Sequence, residues 1–298
     1  MIPGEIARSF FAGYLPTHLI VSDLSMELVD LSSWEDFEER LKALTSTPPQ
    51  LEDGAPLGYV SPFLFRGQAN HCWRLTTTLE RYIQERMSVK RYYRTIHAAK
   101  PQIETFTGAD WSILTPPEYE EWLAKQDMLV SGKFPGYEYM VYLRHHGFPS
   151  PLLDWTRSPY VAAYFAFVGA SEAGERVAIF AFREHAGAGK GWIKKQPHIE
   201  TLGPYVRSHK RHFLQQSEYS ICLVYDADTW FFANHEAVCG DAQSGQDILW
   251  KFTLPVSEKL KVLRMLDGFN LNSFSLFASE EALMETMALR ELYFRANR

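Results

Sequence analysis

The chain has 298 residues, of which 46% are hydrophobic, 14% aromatic and 22% charged, with a formal net charge of −6; it is an ordinary globular composition, long enough to bury the core of one large domain or two modest ones. The acidic balance argues against wholesale nucleic-acid binding, which needs a positive surface, and no stretch approaches the roughly 20 apolar residues that cross a bilayer. Cys72, Cys222 and Cys239 are too few and too scattered for a disulfide framework or a zinc knuckle, so with no signal-peptide pattern around Glu5 a reducing, cytoplasmic setting is expected.

Residues 1–31 show no clear periodicity and read as an N-terminal extension or edge structure, ahead of one domain over residues 32–298. Ser33, followed by Glu35 and Asp36 and by Trp34, Phe37, Leu41 and Leu44 on one face, predicts a capped amphipathic helix. Thr45 to Leu57, rich in Pro, Ser and Thr, predicts a loop. Tyr59 to Gly67 reads as a strand, and Glu80 to Ile103, Pro116 to Gln126 and Glu138 to His146 as helices.

The last of these helices runs into the most unusual segment of the chain. Gly147 suits a helix end because it takes positive φ without a Cβ clash. Pro149 and Pro151 then force an extended path, and Leu152 and Leu153 read as a short buried strand. Thr156 or Ser158 can cap the next helix, which has Pro159 at its first position. That helix, Tyr160 to Ala170, places small Ala162, Ala163 and Ala166 beside Tyr164 and Phe165, so Asp154, Thr156 and Ser158 are held on an apolar scaffold.

Further on, Arg176 to Phe182 reads as a strand buried on both faces. Glu184 to Lys195 reads as a mobile loop, His209 to Gln216 as a short polar stretch, and Tyr219 to Tyr225 and Asp247 to Leu254 as strands. Ser257 is the expected cap of a helix to Leu266, and Glu280 to Tyr293 closes the chain as another. Strands and helices do not alternate regularly, which predicts an α+β fold with a mixed central sheet flanked by helices.

Taken together, these motifs resemble the FRG domain family, named for a Phe-Arg-Gly triplet matched here by Phe65-Arg66-Gly67 with Gln68 following. The family's later tryptophan, leucine and arginine are similar to Trp73, Leu75 and Arg81. Its central run, ending in Leu-Leu-Asp-Trp-Thr and leading to Ser-Pro and an Ala-rich aromatic helix, is matched by His145 to Ala166. An Arg-x-x-x-Gln-x-Gly-x-Phe element resembles Arg211 to Tyr219, and a C-terminal Ser-Leu-Phe resembles Ser275-Leu276-Phe277. The resemblance extends from about Trp34 to Leu292. Ser150-Pro151 stands where the family has Thr-Arg, and Ser217 where it has glycine, so roles at those positions are not carried over. The resemblance implies a link to phage-defence or toxin-like effectors.

A second resemblance, to the motif order of ADP-ribosyltransferases, implies a fold of that type and NAD as substrate. Its parts are Arg66-Gly67, Thr156-x-Ser158 with Ala162 and Tyr164-Phe165, and Gln216-Ser217-Glu218. It makes Arg66, Ser158 and Glu218 the catalytic candidates and Arg66, Gly67, Asp154, Thr156, Tyr164 and Gln216 the NAD-binding ones, with no metal. An arginine fork clamps a pyrophosphate in bidentate fashion, glycine lets a ligand approach the backbone, and a carboxylate stabilises the oxocarbenium-like charge formed when the nicotinamide–ribose bond breaks. The resemblance implies a protein or a nucleic acid as the acceptor of such a transfer.

Structural readings compete with these. Arg66 can pair with Asp154 and serve the fold, and Ser158 can act only as a helix cap. His145 and His146, about 100° apart on a helix, do not chelate one metal; one is expected to hydrogen-bond the turn. The rival function is a nucleic-acid-binding or nuclease module using Arg207, His209, Lys210, Arg211 and His212 with Lys190, Lys194 and Lys195. A non-catalytic sensor domain is the third.

Overall fold

The computed structural model describes residues 26–46, 58–125, 134–187, 189–191, 195–204, 206–207, 210–239 and 245–297. Eight strands form one mixed sheet: β1 (Glu27–Asp30), β2 (Leu64–Gln68), β3 (Leu153–Thr156), β4 (Arg176–His185), β5 (His198–Thr201), β6 (Ser217–Asp226), β7 (Thr229–Phe232) and β8 (Gln246–Pro255). The spatial order is β1-β8-β4-β2-β3-β6-β5, with β7 also paired to β6. Among the described residues only β1 and β8 run parallel; the other pairs are antiparallel. This is the expected mixed sheet flanked by helices. Glu27–Asp30, within the stretch read as extension or edge structure, is its edge strand.

The helices are α1 (Trp34–Ser46), α2 (Thr78–Tyr82), α3 (Val89–Thr107), α4 (Pro116–Ala124), α5 (Tyr137–His145), α6 (Pro159–Val168), α7 (Arg211–Leu214), α8 (Lys259–Gly268), α9 (Ser273–Phe277) and α10 (Glu280–Ala288). On one side of the sheet Trp34 and Phe37 of α1, Phe167 of α6 and Leu263 of α8 pack on Ile179, Phe252 and Leu254. A second core joins Tyr92 and Tyr93 of α3, Tyr119 of α4 and Tyr139 and Met140 of α5 to Tyr219 and Ile221 of β6. Strand β4 is buried on both faces from Val177 to Phe182, as its apolar run predicts. Each large side chain so buried contributes about 1.5–3 kcal/mol.

Several boundaries differ from expectation for local reasons. The helix expected over Glu80 to Ile103 is two. A capping box between Thr77 and Glu80 starts α2, and Ile83 is extended. Ser88 bridges to Phe231 and its side chain caps α3. The strand expected from Tyr59 forms only from Leu64, since Pro62 lacks the N–H a ladder needs; Val60 makes an isolated bridge to Ala186.

Helix α1 continues to Ser46, past the expected start of the loop, whose residues 47–57 lie outside the described ones, as do 1–25. The stretch read as a mobile loop begins as strand: Ser61 Oγ accepts hydrogen bonds from the Glu184 and His185 amides (3.1 and 3.0 Å), fixing the end of β4. Ser257 does not cap α8; it sits in a 3₁₀ turn, Val256–Glu258, that leads into the helix. The closing helix gives way after Ala288 to a π-helical segment, Leu289–Phe294.

Candidate functional site

Strands β2 and β3 are paired through one residue couple, Phe65 with Thr156. Beyond it they part, and a parted seam leaves backbone carbonyls without ladder partners. Arg66 answers that need: its Nη1 donates to the Asp154 carbonyl oxygen (2.7 Å) and to Asp154 Oδ1 (2.6 Å). Arg144, in the last turn of α5, donates to the same Oδ1 through Nη2. Both arginine side chains are mostly buried, 13% and 16% exposed, whereas that of Asp154 is 46% exposed. Burial alone would raise the Asp154 pKa, but the two guanidiniums outweigh it and hold the carboxyl well below the usual carboxylate range. The Nε atoms of both arginines are buried without a hydrogen-bond partner among the described residues.

At this seam opens a cavity of about 310 Å³, at the lower end of the roughly 300–1,000 Å³ usual for small-molecule sites. Arg66 and Gly67 come from β2, Arg144 and His145 from α5, Asp154 and Thr156 from β3, and Ala162 and Phe165 from α6. The far wall is Arg211, Gln215, Ser217, Tyr219 and Phe277. The Arg211 guanidinium lies 5.2 Å from the centre of the Phe277 ring, within cation–π range. Tyr219 is held by two histidines: its hydroxyl is 2.7 Å from His145 Nε2, and the His212 ring stacks on its ring. Burial, with the Asp154 charge behind it, pushes the Tyr219 hydroxyl pKa up, so it stays protonated. Outside the lining, Arg81 of α2 adds charge to the cluster; burial, then Arg66 and Arg144, pull its pKa down.

Four of the sequence candidates therefore meet at one opening: Arg66, Gly67, Asp154 and Thr156. Gly67 does something other than admit a ligand. A Cβ there would stand 1.9 Å from the Ala162 carbonyl oxygen and 2.7 Å from the Ala166 amide. The backbone of α6 occupies that space, and the triplet's glycine lets helix and strand touch. Thr156 works locally as well, its hydroxyl donating to the Gln215 carbonyl (2.6 Å) and accepting from the Ser158 amide (3.1 Å).

The other four candidates lie off the cavity, each for a clear reason. Ser158 is the N-cap of α6, its hydroxyl accepting from the Val161 amide (3.3 Å). Tyr164 points away from Ala162 on α6 and is buried in the core beside Leu263 of α8, its ring edge-on to Phe165. Gln216 sits in the turn before β6 at φ +49°, its carbonyl accepting from the Arg157 amide (3.1 Å). Glu218 follows the strand's alternation: Ser217 and Tyr219 face the cavity, while Glu218 lies beside Trp155, buried and paired with Arg157.

The Trp155 ring belongs to a third core with Leu64, Phe180 and Leu249, is stacked on Phe182, and donates from Nε1 to Ser220 Oγ (2.8 Å), which contacts His235 Nε2 (2.9 Å). His235 is fully buried; burial, then the nearby Arg66 charge, push its pKa down to about 3, so it is neutral.

Sequence reasoning missed Arg144, Arg211, Gln215, Ser217, Tyr219, Phe165 and Phe277 as lining residues. The signal was present. Arg211, Gln215, Ser217 and Tyr219 are the specified positions of the Arg-x-x-x-Gln-x-Gly-x-Phe resemblance, and Phe277 ends the Ser-Leu-Phe one. Reading Gln216 and Glu218 instead shifted the pattern by one residue, which on a strand means the other face. Three of the basic residues of the nucleic-acid reading are drawn inward. Lys190 is buried among carboxylates, His212 is buried behind Tyr219 and Arg211 enters the cavity, while Lys194 and His209 lie outside the described residues.

The fold and site thus define an α+β domain with an arginine-lined cavity at a parted strand seam. Residues 61–175 match the family model of the FRG domain, so the chain carries an FRG domain over that segment. The match takes in Arg66, Gly67, Arg144, Asp154 and Phe165; the wall from Arg211 to Phe277 lies beyond it. No curated protein and no solved structure matches the chain. Among the described residues no helix is long and apolar enough to cross a membrane.

Proposed function

We propose that the cavity binds a nucleotide, with NAD as the ligand, and that the chain hydrolyses NAD or transfers its ADP-ribose. One observation carries the reading: the guanidiniums of Arg66, Arg144 and Arg211 and the rings of Phe165 and Phe277 line one opening together with a single carboxylate, Asp154. Three positive charges against one negative leave an excess of two in a chain whose net charge is −6. That local excess suits a pyrophosphate, which guanidinium forks recognise bidentately, and the rings offer a stacking surface for a base. The order of the Arg-Gly and Thr-x-Ser elements supports the same reading. A cavity of about 310 Å³ holds part of a dinucleotide, with the remainder along its opening.

In the reaction the bond between ribose C1′ and the nicotinamide nitrogen breaks and nicotinamide leaves with the bonding pair. Water or an acceptor nucleophile adds at C1′ and loses a proton. Charge developing at C1′ needs a carboxylate nearby. Asp154 meets that need in this reading, because Glu218 faces away. The test is incubation of the purified chain with NAD, following nicotinamide release by chromatography, beside thermal-shift titrations with NAD and ADP-ribose. Turnover that is lost in Arg66→Ala is the expected result. Absence of both turnover and ligand-induced stabilisation refutes the reading.

A further inference from the structure

Resting on that nucleotide reading, we infer that Asp154 makes the cavity selective for ligands that carry the vicinal hydroxyls of ribose beside their phosphates, and that the deoxy counterparts are rejected. Every hydrogen bond to the Asp154 side chain falls on Oδ1, from Arg66 and from Arg144. Oδ2 has no partner among the described residues, although the side chain is 46% exposed and lines the cavity. The two guanidiniums keep the group ionised, and an ionised carboxylate only accepts hydrogen bonds. Oδ2 is therefore a fixed acceptor among cationic donors. Phosphate oxygens find donors on the guanidiniums but are repelled at Oδ2, which only an O–H or N–H can approach. A ribose hydroxyl next to a phosphate supplies both halves of the pattern; a bare pyrophosphate supplies one. A site built around a fixed acceptor discriminates against the analogue that lacks the matching hydroxyl.

Titration calorimetry on the wild-type chain compares ADP, 2′,3′-dideoxy-ADP and pyrophosphate. Loss of a charge-assisted hydrogen bond predicts that the dideoxy compound binds about 10- to 100-fold more weakly than ADP, with pyrophosphate no tighter than the dideoxy compound. In Asp154→Asn, checked for folding by circular dichroism, the amide places a donor at the open position, and the ratio between the two nucleotides collapses to within about threefold. Equal binding of ADP and its dideoxy analogue by the wild type overturns the sugar selectivity while the nucleotide cavity stands; a ratio retained in Asp154→Asn overturns its assignment to Asp154. Failure of ADP, NAD and ADP-ribose alike to bind overturns this inference and the reading beneath it. An RNA 3′ end offers the same diol, and displacement of ADP by a short RNA oligomer at equal concentration overturns the free-nucleotide source.

Discussion

The shared carboxylate makes a directional prediction about stability. In Asp154→Ala, the mostly buried Arg66 and Arg144 lose the carboxylate that lies between them, and the carbonyl at position 154 keeps its bond from Arg66. Leaving buried charges unpaired costs about 3–5 kcal/mol. The 46% exposure of Asp154 lets cavity water screen part of the repulsion, so about 2–3 kcal/mol is expected. In Arg66→Ala, by contrast, Asp154 still has Arg144, and the loss is the two hydrogen bonds that share Nη1, with some packing, about 1–2 kcal/mol. At roughly 2–4 °C of Tm per kcal/mol for a chain of this size, Asp154→Ala melts about 4–12 °C below the parent and Arg66→Ala about 2–8 °C below. The double variant should cost less than the two singles combined, because removing Arg66 relieves the repulsion that removing Asp154 creates. Urea denaturation followed by circular dichroism measures all three. If Arg66→Ala proves the more damaging single change, or if the two effects simply add, the carboxylate is not shared in the way the geometry requires.

Gly67→Ala must move α6 off β2, since the new Cβ overlaps the Ala162 carbonyl; a loss of about 1–3 kcal/mol or more is expected, with weaker ligand binding because Ala162 and Phe165 move with the helix, read by denaturation and calorimetry. Glu218→Gln breaks the pair between buried Glu218 and half-exposed Arg157, away from the cavity, so Tm should fall while NAD turnover per folded molecule stays within about twofold of the parent, a result that separates the charge's structural role from a catalytic one. A pH effect is expected at the other end of the sheet, where Glu184, Glu200, Asp247 and His198 surround Lys190. Burial pushes Glu200 up to about 7 and Asp247 up to about 6. Carboxyls raised on folding add stability that is present at low pH and is lost as pH rises through those values. Glu200→Gln should therefore gain on the parent between pH 5.5 and 8.5 by an amount on the order of 2 kcal/mol, followed as the difference in urea midpoints, and a difference independent of pH would count against the cluster.

Much of the fold could be read from periodicity because its main elements satisfy one local rule each. The Val177–Phe182 run had to be a two-face buried strand, and the Gly147, Pro149, Pro151 and Pro159 sequence could be threaded only as helix end, extended turn and helix start. The short strands β1, β5 and β7 were not legible: with four residues each, they owe their pairing to neighbours rather than to any pattern of their own. The division of Glu80–Ile103 into two helices turned on Ser88, which bridges to Phe231 far along the chain.

The site divides along the same line. Arg66 and Asp154 stand out in sequence because an arginine and an aspartate interrupt apolar strands, and their pairing across 88 positions needed only that β2 and β3 be neighbours. Arg144 looked like an ordinary charge near a helix end until α5 was placed over β3. Glu218 shows the opposite case: a carboxylate suits the expected chemistry, but on a strand one position decides the face, and the paired register of Trp155 with Glu218 turns that carboxylate toward Arg157. What the structure adds is the parting of β2 from β3. That seam converts an arginine needed to satisfy a backbone carbonyl into one that also lines a cavity, so the same guanidinium that holds the sheet together is available to a ligand. A structural Arg66 and the ligand-binding Arg66 proposed above do not exclude each other, and the asymmetry between Arg66→Ala and Asp154→Ala in stability, set against their effects on nucleotide binding, tests whether it has both roles.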